Sequence, residues 1–165
     1  MNVTLGRCSG IVASAVWNVS LSDCTNNGNQ VNAIADGRLG NVACVVGSGG
    51  NITNCVNNGN IETTDTGYKG TIGGIFALIG TNNIVVSGGA NYGTVKTQST
   101  ASNKGLVGAY LNVFKSVTNV TVSGKLYVDG VQATITDSNY MDYVGKINSN
   151  HASKVTNLIW VAPAN

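Results

Sequence analysis

The chain contains the segment Ile52-Thr-Asn-Cys-Val-Asn-Asn-Gly59, and the pattern of its first four residues occurs five times. Each copy has an aliphatic residue, a hydroxyl residue, then Asn, Asp or Gly, and finally Cys, Gly or an aliphatic residue. The copies start 31, 34, 31 and 38 residues apart, at Leu21, Ile52, Val86, Val117 and Val155. A period of this length is typical of solenoid proteins, in which each repeat is covered by its neighbours.

Two further features recur with these copies. A glycine follows four of them at a constant distance, at Gly28, Gly59, Gly93 and Gly124, and the first three complete the motif Asn-x-Gly. A second apolar patch lies between the copies, at residues 8–12, 42–46, 72–76, 106–110 and 143–147; this alignment places Cys44 level with Gly10, Gly74, Gly108 and Gly145. Because Asn and Gly tolerate a positive φ, the Asn-x-Gly positions predict a turn after each strand.

The periodic segments predict strands and no sustained helix. Val, Ile and Thr dominate them, and stretches such as Val120-Thr-Val122 and Leu126-Tyr-Val128 alternate with a period of two. A unit of 31–38 residues cannot bury its own apolar side chains, whereas stacked copies share a continuous core. We therefore predict an all-β fold, a single-stranded parallel β-helix (β-solenoid) of about five coils that forms one domain over residues 1–165. We expect it to be right-handed, as parallel crossover connections almost always are.

Composition and charge exclude several classes of protein. The 165 residues are 42% hydrophobic, which suffices for a core, but only 10% charged, with a net charge of +2. This balance favours neither a nucleic-acid partner nor an anionic membrane surface. The longest apolar runs fall well short of the roughly 18 to 20 residues that a membrane span needs, and no secretory signal precedes the repeats. We expect a piece excised from a longer chain with flanking domains, because an open solenoid end exposes unpaired backbone groups.

Several segments resemble a known repeat family. Gly105-Leu-Val-Gly108 is followed by Val117-Thr-Asn-Val120, and residues 54–61 read Asn-Cys-Val-Asn-Asn-Gly-Asn-Ile. These segments resemble the GLUG-motif repeats (Gly-Leu-hydrophobic-Gly) of bacterial, Bacteroidetes-type, cell-surface adhesin-like proteins, and the resemblance covers nearly the whole chain. It implies an extracellular or cell-surface location, a non-catalytic role in adhesion, glycan binding or spacing, and a glycan or a surface protein as partner. It implies no catalytic residue.

The cysteines are interpreted as small buried side chains. Cys24 and Cys55 occupy the same repeat position, where later copies have Gly or an aliphatic residue. This pattern favours free thiols over a disulfide between Cys24 and Cys55. A structural zinc site needs four converging soft ligands, and the sequence has one His and no Cys-x-x-Cys pair. We therefore expect no cofactor, with calcium as the weak alternative discussed next.

Carboxylates and tyrosines are the candidate ligand-binding residues. Asp36 and Asp65 follow the second strand of their coils and could share one edge of the solenoid, either as solvating charges or as a calcium or sugar site. Tyr68, Tyr92 and Tyr140 lie in predicted loops or turns, so we expect all three to be accessible. A tyrosine ring can stack on the apolar face of a sugar while polar groups bind its hydroxyls. Aromatic residues in strand-like segments are expected to pack instead: Trp17, Phe76, Tyr110, Phe114, Tyr127 and Trp160.

Three alternative functions remain open. A polysaccharide lyase or glycoside hydrolase on a β-helix is the first; glycoside hydrolysis needs two carboxylates about 5 to 9.5 Å apart. Here most acidic residues fall in unrelated columns, and His151 lies in a polar loop with no evident catalytic partner. An ice-binding surface is the second, built on a hydroxyl column that is complete but one residue wide: Ser22, Thr53, Ser87, Thr118 and Thr156. A fibre-forming solenoid is the third, because open ends favour association.

Overall fold

A computed structural model describes residues 7–17, 20–33, 35–48, 50–80 and 83–164. Over these residues the chain is an all-β, parallel β-solenoid of about four turns, which confirms the predicted fold class. The side chains of Cys8, Trp17 and Cys44 lie outside the described part, so what the sequence predicts for them stays a prediction.

Each complete coil contributes five short strands. The first coil contains β1 (Arg7–Cys8), β2 (Val12–Trp17), β3 (Ser20–Ser22), β4 (Thr25–Asn26) and β5 (Gln30–Asn32). The second contains β6 (Arg38–Gly40), β7 (Ala43–Ser48), β8 (Asn51–Thr53), β9 (Val56–Asn57) and β10 (Ile61–Thr63). The third contains β11 (Thr71–Gly73), β12 (Phe76–Gly80), β13 (Val85–Ser87), β14 (Ala90–Asn91) and β15 (Val95–Thr97). The fourth contains β16 (Asn103–Gly105), β17 (Gly108–Val113), β18 (Ser116–Thr118), β19 (Thr121–Val122) and β20 (Leu126–Val128).

The remaining elements close the C-terminal end. They are β21 (Val131–Gln132), α1 (Met141–Val144), β22 (Lys146–Ile147), a 3-10 helix at Ser149–Lys154, β23 (Val155–Thr156) and β24 (Ile159–Trp160). Equivalent strands of successive coils pair in parallel, in the orders β1-β6-β11-β16, β2-β7-β12-β17-β22, β3-β8-β13-β18-β23, β4-β9-β14-β19-β24 and β5-β10-β15-β20. Strand β21 pairs with β20 in the antiparallel direction.

The shared interior predicted from the repeat is confirmed. Leu21 pairs with Ile52, Ile52 with Val86, Val86 with Val117 and Val117 with Val155. Ile52, Val86 and Val117 are at most 1% exposed. Full burial of such a side chain contributes roughly 1.5–3 kcal/mol, so the stacked aliphatic column is a main source of stability. The unequal spacing of the repeats therefore falls in the connections and not in these strands.

The two recurrent turn positions serve different purposes. A positive φ occurs in the third residue of every copy, at Asp23, Asn54, Gly88, Asn119 and Asn157. The repeated glycine of the Asn-x-Gly motif has no positive φ, so the predicted reason for it is wrong. That glycine is needed for space, because a Cβ at Gly59 would overlap the carbonyl oxygen of Gly28 and one at Gly93 would overlap that of Gly59.

The alignment predicted for the second apolar patch is wrong in three coils; in the last of them Ile147 pairs with Leu111 and not with Tyr110. Ile72 pairs with Leu39 and Lys104, and not with Val42 and Leu106. A sharp bend at this point requires a column of glycines one residue before Gly74, because a Cβ there would overlap neighbouring backbone: Gly40, Gly73 and Gly105. Several glycines lie close together in this part of the sequence. The predicted alignment placed Gly74 level with Gly108, whereas in the structure Gly73 pairs with Gly105.

The same error affects Cys44. Ala43, which precedes it, pairs with Phe76, and Phe76 pairs with Gly108. Cys44 therefore lies one residue beyond the level of Gly108 and is not level with Gly74.

A ladder of buried asparagines runs inside the solenoid. The Nδ2 of Asn26 donates to the Oδ1 of Asn57 at 3.0 Å, and the Nδ2 of Asn57 donates to the Oδ1 of Asn91 at 2.7 Å. Each amide also donates to the carbonyl oxygen of the glycine two residues later. The ladder ends where Val122 pairs with Asn91. The Asn-x-Gly motif therefore encodes an internal hydrogen-bonded column, because a buried amide needs partners for all its polar atoms.

Cys24 and Cys55 lie at equivalent positions and carry free thiols, as predicted. Cys55 is 1% exposed, its Sγ lies 3.5 Å from the carbonyl oxygen of Leu21, and burial raises the pKa of its thiol. The side chain of Cys24 is half-buried at the N-terminal end of this column.

The predicted fifth coil is incomplete. Helix α1 takes the place of a strand beside β16, and the amide of Leu106 donates to the carbonyl oxygen of Tyr143 at 2.7 Å. Strand β21 folds back on β20 through a tight turn in which Asp129 and Gly130 have φ values of 51° and 79°. Two positive φ values in a two-residue hairpin are typical of a type I′ turn. The prediction of no sustained helix holds for the described residues, because α1 has four residues and the 3-10 helix six, too few to show a helical period.

Candidate functional site

Tyr68 is buried, so its predicted accessibility is wrong. Its side chain is 0% exposed, and its hydroxyl lies 3.0 Å from the carbonyl oxygens of both Gly37 and Thr71. Gly70 leaves room for the ring, since a Cβ there would come within 2.5 Å of the tyrosine hydroxyl. The loop around Tyr68 therefore turns its aromatic side chain into the core, where it packs with the stacked aliphatic residues.

Tyr140 is half-buried and helps to close the C-terminal end. Its ring stacks on Trp160 with a centroid distance of 6.2 Å and an interplanar angle of 17°. Its hydroxyl donates to the carbonyl oxygen of Leu158 at 3.1 Å. Both parts of the side chain are thus engaged within the protein, and Trp160 packs at the end as predicted.

Tyr92 is accessible, as predicted. Its side chain is 51% exposed, and its backbone amide donates to the carbonyl oxygen of Asn57 at 2.8 Å. The hydrogen bond fixes the backbone while the ring stays in solvent. Of the three predicted tyrosines, Tyr92 is therefore the one placed to meet a ligand.

The structure does not bring Asp36 and Asp65 to one level of the solenoid. Lys69 donates its amide to the carbonyl oxygen of Ala35, which places Asp36 level with Lys69. The carboxylates of Asp36 and Asp65 accept from the amides of Gly37 at 2.7 Å and Gly67 at 2.8 Å. Each carboxylate stabilises its own turn. Among the described residues, no group of three or more His, Cys, Asp or Glu side chains is arranged to hold a metal ion.

Asp129, which the sequence places in a similar loop, serves the C-terminal hairpin. Its Oδ1 accepts from the amide of Ser99 at 2.9 Å, and its own amide donates to the carbonyl oxygen of Thr97. The side-chain and backbone hydrogen bonds of Ser99 lower the pKa of the Asp129 carboxyl. The residue therefore ties the hairpin to the coil below it.

The residues on either side of the repeated glycines form an outward surface, which we call the glycine-turn face. Its first column lies just before the glycines and contains Asn27, Asn58, Tyr92 and Ser123. Its second column lies just after them and contains Asn29, Asn60, Thr94 and Lys125. Every side chain of the two columns is exposed or half-buried except that of Ser123, which is 4% exposed.

Hydrogen bonds between coils hold the polar side chains of this face. The Nδ2 of Asn58 donates to the Oδ1 of Asn27 at 2.9 Å. The Oδ1 of Asn29 accepts from the amide of Asn60 at 2.8 Å, and the Oδ1 of Asn60 accepts from the amide of Thr94 at 2.9 Å. The face is therefore rigid before any ligand arrives, which lowers the entropic cost of binding.

A cleft of about 340 Å³ opens where the glycine-turn face meets the C-terminal residues. Its size lies within the range of small-molecule sites, about 300–1,000 Å³. Among the described residues, the lining offers one exposed aromatic ring, the hydroxyl of Thr94 and one ammonium group, and no carboxylate; Ser123 also lines the cleft but is 4% exposed. Its lining residues are Tyr92, Thr94, Ser123, Lys125, Pro163 and Ala164.

The charges next to the cleft are already paired. A third outward column contains Val31, Glu62, Lys96 and Tyr127. The Nζ of Lys96 lies 3.6 Å from the Oε2 of Glu62. The side chain of Lys125 has no hydrogen bond or ion pair with any residue that the structure describes.

Sequence reasoning identified Tyr92 and missed the other lining residues. The sequence contains a signal for Tyr92, Thr94, Ser123 and Lys125, because each of them lies directly before or after a repeated glycine. Thr94, Ser123 and Lys125 depart from the Asn found at these positions in the first two coils. A comparison of the residues at each repeat position therefore distinguishes these three residues from the Asn of the first two coils.

The hydroxyl column and His151 complete the predicted candidates. The pairing places Ser22, Thr53, Ser87, Thr118 and Thr156 in one column, as predicted. Val85 interrupts the adjacent column on the same face, so no wide hydroxyl surface results. The Nδ1 of His151 lies 2.8 Å from the Nζ of Lys154, and its ring lies 5.4 Å from that of Phe114. His151 therefore packs within the C-terminal end.

In the described part of the chain, no helix combines the length and apolarity that crossing a membrane demands. The GLUG resemblance stays a prediction. No family model, no curated protein and no solved structure matches the chain.

Proposed function

We propose that the chain is a non-catalytic carbohydrate-binding module of a cell-surface adhesin-like protein, and that its ligand site is the cleft around Tyr92. The observation that carries the proposal is the 51% exposure of Tyr92 at the mouth of a polar cleft on a rigid face. An exposed large aromatic ring with convergent polar groups is a typical sugar-binding arrangement.

The neighbouring groups complement a pyranose ring. The tyrosine ring would stack on its apolar face, while the hydroxyl of Thr94 can donate to or accept from sugar hydroxyls. Among the described residues, the lining contains no carboxylate, whereas glycoside hydrolysis needs a pair of them about 5 to 9.5 Å apart. Binding without bond cleavage is therefore the activity that these side chains support.

The repeat explains how such a site arises without loss of stability. In the first two coils, Asn27 and Asn58 occupy the position of Tyr92, and both are exposed. The fold tolerates either side chain at this position, because it points outward and its backbone is held by the coil below. The stacked coils therefore act as a spacer that carries a variable surface.

The test is a glycan array on the wild-type chain, followed by calorimetry on any sugar that binds. Tyr92→Asn restores the residue of the first two coils, and Tyr92→Phe keeps the ring. We expect Tyr92→Asn to weaken binding about 10-fold, since stacking contributes roughly 0.5–1.5 kcal/mol beyond area burial, and Tyr92→Phe to keep most of the affinity.

Tyr127→Ala is the matched control, because Tyr127 lies on the same outward side but outside the cleft lining. Unchanged melting temperatures would show that the variants are folded. The proposal is refuted if no sugar binds the wild type, or if Tyr92→Asn and Tyr127→Ala bind equally well.

A further inference from the structure

The chemical class of the sugar follows from the charge of the cleft. We propose that the cleft binds an anionic saccharide, whose acidic group lies on the ammonium of Lys125 while a sugar ring stacks on Tyr92. This inference rests on the proposed function and adds the ligand class to it.

Lys125 is held in position at the edge of the cleft. Its carbonyl oxygen accepts from the amide of Val95 at 2.8 Å, and its neighbours Gly124 and Leu126 are buried in the stacked coils. The residue is half-buried and lines the cleft. A cation in such a setting gains more from an anionic partner than one in open water does.

Most other lysines already have a partner. The amine of Lys96 pairs with Glu62, and that of Lys146 lies 5.4 Å from the ring centroid of Tyr110. Lys104 and Lys154 donate to backbone carbonyl oxygens at 3.2–3.3 Å. Lys69 and Lys115 are exposed to solvent on other parts of the surface. Lys125 thus differs from them, because it combines partial burial, a cleft and no partner among the described residues.

Among the residues that the structure describes, the lining of the cleft contains no acidic side chain. The adjacent outward column holds Glu62, which Lys96 already engages. A neutral sugar would leave the charge uncompensated, whereas a carboxylate or sulfate on the sugar would form a charge-assisted hydrogen bond. Lysine binds anions as a point charge, so the shared chemistry of uronic acids and sulfated sugars is what the cleft selects.

The experiment compares sugars that differ only in charge. Wild-type protein is titrated by calorimetry with an oligogalacturonate, with its methyl ester, with a sulfated galactose oligosaccharide and with a neutral galactose oligosaccharide. We expect the acidic probes to bind about 5-fold more tightly than the uncharged ones. The preference should fall when salt is raised from roughly 20 to 150 mM, because screening weakens exposed charge pairs. The relative affinity of the carboxylate and sulfate probes identifies the acidic group.

Two variants test the assigned residue. Lys125→Met removes the charge and keeps most of the stem, and Lys115→Met is the control at an exposed lysine outside the cleft. We expect Lys125→Met to abolish the preference for acidic over neutral probes, and Lys115→Met to keep the preference of the wild type. Equal binding of acidic and neutral probes by the wild type, or an unchanged preference in Lys125→Met, overturns this inference and leaves the proposed function standing. No binding of any probe here and no binding on the glycan array overturns both.

Discussion

The buried asparagine ladder allows a sharp test of what stabilises the solenoid. Asn57, in the middle, is 0% exposed; its Nδ2 donates to Asn91 Oδ1 at 2.7 Å and to Gly59 O at 2.8 Å. Its Oδ1 accepts from Asn26 Nδ2 at 3.0 Å and from Gly59 N at 3.1 Å. Asn57→Val introduces the residue type found at the equivalent position of the fourth coil, Val122, and so limits the change in packing.

The cost of this substitution can be worked out atom by atom. Gly59 O keeps the amide of Asn41 as a donor, and Asn26 Nδ2 keeps Gly28 O as an acceptor. Two buried groups lose their partners, the N–H of Gly59 and the Oδ1 of Asn91. Each unsatisfied group costs about 1–3 kcal/mol, so we expect the free energy of unfolding to fall by about 4 kcal/mol.

The end of the ladder supplies the control. Asn26→Val leaves Asn57 Oδ1 with its second donor, Gly59 N, and the N–H of Gly28 that it frees belongs to an exposed residue. We therefore expect Asn26→Val to cost about 1 kcal/mol, because water can reach the freed group. Urea unfolding followed by circular dichroism and by tryptophan fluorescence would show a loss of about 2 M in midpoint for Asn57→Val. Equal losses in the two variants, or a loss below about 1 kcal/mol for Asn57→Val, would refute the account.

Three further predictions concern other columns. In a Cys8→Ser, Cys44→Ser background, a thiol reagent should label Cys24 quickly and Cys55 only as fast as the protein unfolds. The reason is that burial hides the thiol of Cys55 and raises its pKa. Equal labelling rates of the two cysteines, measured by mass spectrometry, would contradict this prediction. Gly93→Ala should destabilise the protein by more than about 3 kcal/mol, since the new Cβ overlaps Gly59 O, whereas Gly80→Ala, with nothing within 4 Å, should melt like the wild type; similar melting of the two would rule the close approach out. The folded-state pKa of Asp129 lies below its ordinary value of 3.8, so the contribution of its carboxylate to stability is present above pH 3.8 and is lost as the pH falls below it. The wild type should therefore melt at a higher temperature than Asp129→Asn at pH 7, and the difference in melting temperature should disappear in acid. A difference that does not change with pH would contradict this prediction.

The stacked strands could be predicted from the sequence because register depends on a few repeated side chains. Ile52, Val86 and Val117 each sit in a copy of the same short pattern, and a shift of one residue would turn them outward. The alignment was therefore nearly unique for these strands. It failed for the second patch, where several adjacent glycines offered alternatives and only the sharp bend at Gly73 distinguishes them.

The loops and the C-terminal end were predicted less accurately than the stacked strands, for different physical reasons. Tyr68 lies between Gly67 and Gly70, and glycines so close together are typical of an exposed turn. The ring enters the core because Gly70 has no side chain that would overlap it. Helix α1 is a single turn with no period to detect. The Asp129-Gly130 pair is typical of a two-residue hairpin turn, but it occurs once and is therefore not part of the repeat pattern.

The candidate site follows from the same separation of inward and outward columns. Inward positions are constrained by neighbours above and below, which is why Asn57 and Asn91 must pair and why Gly59 and Gly93 must lack a side chain. Outward positions have no side chain packed above and below them in the core, so a change there can alter the surface without altering the coil. Tyr92 and Lys125 are the outward departures that border a cleft, and their backbone is fixed by the inward columns beside them. Loss of binding without loss of stability is therefore the expected consequence of changing either residue, and it separates the role of the surface from that of the fold.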